Sequence, residues 1–262
     1  MPVQCSPLIL CHKLVLRRRK KEYDSSFCLF WVSQNDNYKS LVRYLHPREA
    51  SCYGSMQFEK RKKDYLLGRY SAKMALSVLS GETELDKIFI EQGVFNHPVV
   101  LGTCQVQSLE VAITHCDDLG AAAAFPRAYP LGIDLERVST DRIRVMEKET
   151  TGEEKKILKD LPFSKAVSLA SFWTAKEALS KVLKTGLTTP FHIYEINRVE
   201  GHEGYLISHY KYFTQYCCFS FDWGGYVFSM ACPRETELPV EFISHLQELS
   251  FVLPGTRDEA VN

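Results

Sequence analysis

The chain has 262 residues, 45% of them hydrophobic, enough for one large core or two smaller ones of about 130 residues each. Lys plus Arg number 32 and so do Asp plus Glu, so no overall field draws the protein to nucleic acid or a membrane surface. Nine cysteines, an odd number with no C-x-x-C pair, argue for reduced thiols in a cytoplasmic protein and against a zinc cluster. The sequence shows no signal-peptide pattern, and no apolar run approaches the length of a membrane span.

Strand patterns cover residues 8–16 and 26–32, joined by Arg17-Arg18-Arg19-Lys20-Lys21. That basic run reads as a solvated hairpin connection, with a docking patch for an acidic partner as the alternative. Residues 45–50 read as a helix start, with Pro47 near the first helical position. Over residues 58–80, Leu66, Leu67, Tyr70, Met74, Leu76 and Val78 give a helical recurrence. Asp64 is expected to cap this helix and Gly81 to end it. Arg61 and Arg69 lie eight residues apart on it, with Lys73 four further on, and by themselves make a basic solvated face. A loop at Asn96-His97-Pro98 leads to a strand over 109–115, whose end, Thr114-His115, enters an Asp-containing turn. A second strand follows over 121–125.

In residues 132–136 Ile133 and Leu135 alternate with Asp134 and Glu136, so a strand there turns its carboxylates to one side and its apolar residues to the core. Residues 141–160 are charged and helical in tendency. An uninterrupted amphipathic helix is expected from about residue 166 to 184, ended by Gly186. Phe172, Ala175, Leu179 and Val182 make its buried stripe; Glu177, Lys181 and Lys184 share another face, with Lys176 on the flank. Alone, Glu177 and Lys181 are an ordinary i, i+4 pair. With Asp134 and Glu136, Glu177 completes the hard-oxygen donor set that suits Mg²⁺, especially where phosphates fill the remaining positions. Further strands are expected at 191–197, 204–210, 217–221 and 226–232, then a short helix at 240–249. The order strand, Asp turn with Gly, strand, Pro occurs at 112–126 and again at 218–233, which hints at duplication.

Gly132-Ile133-Asp134-x-Glu136, then Phe172-Trp173-Thr174-Ala175-Lys176-Glu177-Ala178-Leu179-Ser180-Lys181 with Glu177 43 positions after Asp134, resembles the signature of 4′-phosphopantetheinyl transferases. The longer, monomeric type that activates nonribosomal peptide and polyketide synthetases is similar in length. The resemblance implies an α+β fold of two similar halves, residues 1–128 and 129–262, each an antiparallel sheet packed on helices and related by a pseudo-twofold axis. It implies coenzyme A bound at the interface of the halves, with Mg²⁺ held by Asp134, Glu136 and Glu177. Arg61 and Arg69 would bind the 3′-phosphate, and Thr114 and His115 would sit at a coenzyme A phosphate. Lys181, and after it Lys176, would meet the pyrophosphate as a serine of an apo acyl or peptidyl carrier protein attacks the β-phosphorus and adenosine 3′,5′-bisphosphate leaves. Glu177 could take the serine proton directly or through a water. Lys184 is expected to help dock the acidic carrier. Two other classes compete: a phosphodiesterase, for which no His-rich cluster is present, and a non-catalytic coenzyme A-binding or carrier-docking module.

Overall fold

The computed structural model describes residues 8–32, 37–103 and 105–252. They fall into two compact units. One holds the residues up to Leu16 together with Glu22–Tyr129, the other Arg17–Lys21 and the residues from Pro130 onward. Each unit combines helices with antiparallel strands, so the class is α+β. None of the described helices is long and apolar enough to cross a membrane.

In the first unit β1 (Leu8–Arg18) and β2 (Lys21–Trp31) form a hairpin. Its two turn residues, Arg19 and Lys20, take positive φ of 47° and 66°, the conformation a two-residue hairpin turn requires. The sheet continues through β6 (Leu119–Pro126) to β5 (Leu109–Cys116), and β3 (Phe89–Gln92) pairs separately with β4 (Pro98–Leu101). Helix α1 (Pro47–Ser55) is capped by His46 with Pro at its start, and the long α2 (Glu59–Ser80) packs on β6 and β5. Gly81 ends α2 at φ 79°, as its freedom at positive φ allows. The helix starts at Phe58 and not at Asp64, which lies inside it. A basic first turn does not prevent the start because Glu59 faces the helix dipole favourably there.

In the second unit the sheet order is β7 (Gly132–Arg137), β11 (Tyr226–Pro233), β10 (Tyr216–Asp222), β9 (Tyr205–Tyr210) and β8 (Ile196–His202). Helices α3 (Thr140–Lys148) and α4 (Gly152–Ile157) precede α5 (Lys165–Val182), which lies on β11, β7 and β10. The short β12 (Thr236–Glu237) pairs with Arg18 and Arg17, and α6 (Val240–Val252) follows. The strand expected at 191–197 is a 3₁₀ turn over Phe191–Tyr194 before β8 begins. Phe191 and Tyr194 are buried, Phe191 stacking on Trp173 with ring centroids 4.5 Å apart, so tertiary packing fixes that segment and not its strand propensity. All seven described cysteines are free thiols.

One buried clamp occurs in both units. In the first, Glu49 accepts the His46 N–H of the α1 cap at 2.9 Å and the Ile90 N–H of β3 at 3.0 Å. It also pairs with the ammonium of Lys73 on α2 at 2.7 Å, and that ammonium donates to Leu85 O at 2.9 Å and Ile88 O at 2.6 Å. In the second, Glu154 accepts the Thr151 N–H of the α4 cap and the Ile196 N–H of β8, each at 2.9 Å. It pairs with Lys176 on α5 at 2.7 Å, and Lys176 donates to Glu149 O at 3.2 Å. Both carboxylates and both ammonium groups are buried, and each clamp ties a helix cap, a strand start and the central helix together.

The seating of α5 on β7 depends on Gly132. A Cβ there would fall inside the Ala178 carbonyl oxygen and meet the Val182 nitrogen at 3.0 Å. Gly132→Ala should therefore lower unfolding stability by about 1–3 kcal/mol or more, the range for overpacking a tight core. Urea denaturation of the two proteins checks this, and equal midpoints would mean that helix and strand are not held as close as described.

Candidate functional site

The second unit gathers the carboxylates. β7 starts under α5 at Gly132 and runs out with Asp134 and Glu136 on one side; both are buried, as are Ile133 and Leu135 on the other. Asp134 stands opposite Ser229 on β11. Ser229 hydrogen-bonds at 2.7 Å both to Thr174 of α5 and to Ser220 of β10, a hydroxyl chain that fixes helix to sheet beside the site. From α5, Lys181 donates to Asp134 Oδ1 at 2.7 Å and to Ile133 O at 2.8 Å. Glu136 takes the guanidinium of Arg142, from the first turn of α3, on Oε2, and the N–H of Arg137 on Oε1 at 3.1 Å.

Glu177 lies one turn before Lys181. Its carboxyl is pushed up to about 8, first by burial and then by repulsion from Asp134 and Glu136, with Lys181 and Arg142 opposing the rise. The three carboxyl groups therefore act on one another as near neighbours. Their chemistry fits a hard divalent cation, which takes oxygen ligands and would repay the crowding of negative charge. Among the described residues no group of three or more His, Cys, Asp or Glu side chains is already set out as a cation cage. Lys181 and Arg142 each engage an oxygen that a cation would use.

Lys176 is not brought to this cluster. Its side chain is 2% exposed and its ammonium is engaged with Glu154 and Glu149 O, so it is part of the clamp. Lys184 stands exposed past the end of α5, at φ 57°. Of the other expected site residues, all in the first unit, Arg61 is exposed on the first turns of α2. Arg69 lies about 12 Å further along the helix axis. It is buried, its Nε 3.4 Å from Glu49 and its guanidinium 4.9 Å over the Tyr65 ring. The helix thus does not turn the two arginines to one place. Thr114 is buried at the end of β5; His115 is half exposed, its Nδ1 3.9 Å from Asp64 of α2.

The first unit contains the frame of this site without its acids. Ser26 of β2 donates to Ala75 O on α2 at 2.6 Å, the place that Gly132 holds against Ala178 on α5. Counting from there, Cys28 stands where Asp134 does, opposite Ala122 of β6, and Phe30 stands where Glu136 does. On the helices, Ala72-Lys73-Met74-Ala75-Leu76-Ser77 matches Ala175-Lys176-Glu177-Ala178-Leu179-Ser180, so Met74 replaces Glu177. That shared A-K-x-A-L-S run is the sequence signal that would have exposed both the duplication and the structural part of Lys176. Arg142 had no such signal, being one of many charges in residues 141–160.

Two outcomes are expected. Lys176→Ala should cost about 3–5 kcal/mol of stability by leaving Glu154 buried and uncompensated. Lys181→Ala should cost less, because its ammonium is partly exposed although Asp134 is buried. Denaturant titration separates them, and equal losses would contradict these placements. For Glu177, the folded protein binds a proton that the unfolded chain, with a carboxyl near 4.3, releases. Its stabilising effect is complete below that value and is lost as pH rises toward about 8. In chelator, Glu177→Gln should therefore melt at least about 3 °C above the parent at pH 8.5, a shift worth roughly 1 kcal/mol, with the gap narrowing as pH falls to 5. A pH-independent gap would show that Glu177 is not held neutral by its surroundings.

Residues 130–231 match the family model of the 4′-phosphopantetheinyl transferase superfamily, a span that contains every member of the carboxylate cluster. No curated protein matches the chain significantly.

Proposed function

We infer, from the membership of residues 130–231 in the 4′-phosphopantetheinyl transferase superfamily, that the protein moves 4′-phosphopantetheine from coenzyme A to a serine of an apo acyl or peptidyl carrier protein, releasing adenosine 3′,5′-bisphosphate. The observation that carries this reading is the convergence of Asp134, Glu136, Glu177 and Lys181 where α5 meets β7, inside the matched span. Transfer of a phosphoryl-type group demands positioning and neutralisation of charge more than covalent chemistry, and these residues are suited to that.

Asp134, Glu136 and Glu177 are the oxygens that would hold Mg²⁺. When bound, the cation would offset charge on the pyrophosphate as its bond breaks. Lys181 keeps Asp134 oriented through its bond to Ile133 O and adds a positive charge within the cluster. Glu177, on α5 beside Asp134 and Glu136, is assigned to accept the serine proton, directly or through a water. Thr114, His115 and Arg61, exposed or at a strand end in the first unit, are assigned to the phosphates of coenzyme A, with Arg69 supporting from its pair with Glu49. Lys184, exposed past the end of α5, belongs to the surface offered to an acidic carrier. The two units are read as the two halves of one monomeric enzyme.

Mass spectrometry of an apo carrier protein incubated with the chain, coenzyme A and Mg²⁺ tests the reading. The carrier should gain one phosphopantetheine group, and the gain should vanish in chelator. Asp134→Ala and Glu177→Ala should slow it by about 100-fold or more, as loss of a ligand removes both charge and geometry. Coenzyme A bound without any transfer to a panel of carriers would identify a binding module instead, and near-normal turnover in chelator would remove the cation.

A further inference from the structure

The most revealing residue of the cluster is one that the signature does not contain. Arg142 sits in the first turn of α3, which starts just three residues past the end of β7, so the arginine is tied closely to the strand that carries the acids. Its Nη1 donates to Glu136 Oε2, while Glu136 Oε1 is taken by the Arg137 N–H. Both oxygens of that carboxylate are therefore engaged, and a cation that takes Glu136 as a ligand must displace or share with Arg142.

The two cations of the site differ in how firmly they are held. Lys181 is 29% exposed in its side chain and bonds both a carboxylate and a backbone carbonyl. Arg142 is 54% exposed in its side chain and bonds the Glu136 carboxylate. Little packing is lost when such a side chain swings away, and its planar fork of donors matches two oxygens of a phosphate as well as those of a carboxylate. A diphosphate that completes the shell of a cation on Asp134, Glu136 and Glu177 has to come within a ligand's width of Glu136, hence within reach of Arg142.

We propose that Arg142 is a displaceable counter-ion: it holds Glu136 while no cation is bound, then passes to an oxygen of the diphosphate as the cation takes the carboxylate. It is a specificity-determining residue that makes cation and diphosphate arrive together, because each frees or occupies what the other needs. This rests on the transferase reading above, in which the donor is a diphosphate held on a divalent cation.

The test compares the full chain with Arg142→Gln and Arg142→Lys in two titrations, Mn²⁺ without coenzyme A followed by electron paramagnetic resonance, and coenzyme A in saturating Mg²⁺ by calorimetry. Arg142→Gln should bind Mn²⁺ at least about threefold tighter, because its competitor for Glu136 is gone, yet bind coenzyme A about tenfold more weakly. Arg142→Lys should also lose affinity for coenzyme A, since it keeps the charge without the fork. If Arg142→Gln weakens both ligands, the arginine merely holds Glu136 in place, and the proposal is wrong. If Arg142→Lys behaves as the parent on both, a diffuse positive charge is sufficient and the displacement is again wrong. Should the parent chain itself bind neither Mn²⁺ nor coenzyme A, the transferase reading falls and the proposal with it.

Discussion

The buried Glu–Lys clamp is the constraint on which both units depend. A glutamate in the third position of a short helix cap cannot be left buried without partners, and Glu49 and Glu154 each collect two backbone N–H groups and an ammonium. Removing either lysine leaves an uncompensated carboxylate in the interior, while the satisfied clamp fixes the rotation of α2 and of α5 about their axes. On α5 that rotation decides the chemistry. Lys176 must face Glu154, so the next residue, Glu177, is turned toward β7, and Lys181, four residues later, is brought over Asp134. The geometry of the carboxylate cluster is thus set by a pair that takes no part in it.

The same frame gives a site in one unit and core in the other. With Lys73 in its clamp, Met74 is turned as Glu177 is, and the β2 positions matching Asp134 and Glu136 hold Cys28 and Phe30. Cys28 and Phe30 are fully or nearly fully buried, and Phe30 packs edge-on against Tyr70 at 4.8 Å. An apolar set needs no counter-ions and stabilises by packing alone. An acidic set at the same places is unfavourable unless cations accompany it, and the second unit supplies them from two different elements, Lys181 on α5 and Arg142 on α3. One copy is free to be stable, and the other carries the electrostatic strain of a crowded acidic cluster.

Much of this was legible in the sequence, for identifiable reasons. Alternation in 132–136 and the uninterrupted 3.6-residue pattern around Phe172 and Leu179 are strong periodic signals, and the two segments fold as a strand and a helix that bring Asp134, Glu136, Glu177 and Lys181 together. Failures came where local pattern and tertiary contact disagree. Lys176 looks like one more charge beside Glu177, and only the position of Glu154, brought in from α4, draws it inward. Arg61 and Arg69 look alike in sequence, yet Glu49 from α1 takes Arg69 into the interior and leaves Arg61 in solvent. Residues 191–197 have strand-forming composition, but burial of Phe191 against Trp173 wins. In each case the deciding partner lies at least eighteen residues away in the chain, beyond any periodicity.

The tight approach of α5 to β7 explains why the cluster can hold so much charge. Gly132 lets the helix backbone come close to the strand, so the lysine ammonium reaches both the Ile133 carbonyl and the Asp134 carboxylate. Those two hydrogen bonds fix one cation inside the site. Arg142, by contrast, approaches from the first turn of α3 with its side chain half in solvent. Lys181 and Arg142 each pair with another acid, so Glu177 keeps the least compensation, and burial and its two neighbours push it to about 8. Lacking a positive charge of its own in direct contact among the described residues, the buried Glu177 carboxyl holds its proton, and the crowding of three acids around α5 and β7 is relieved at that one group.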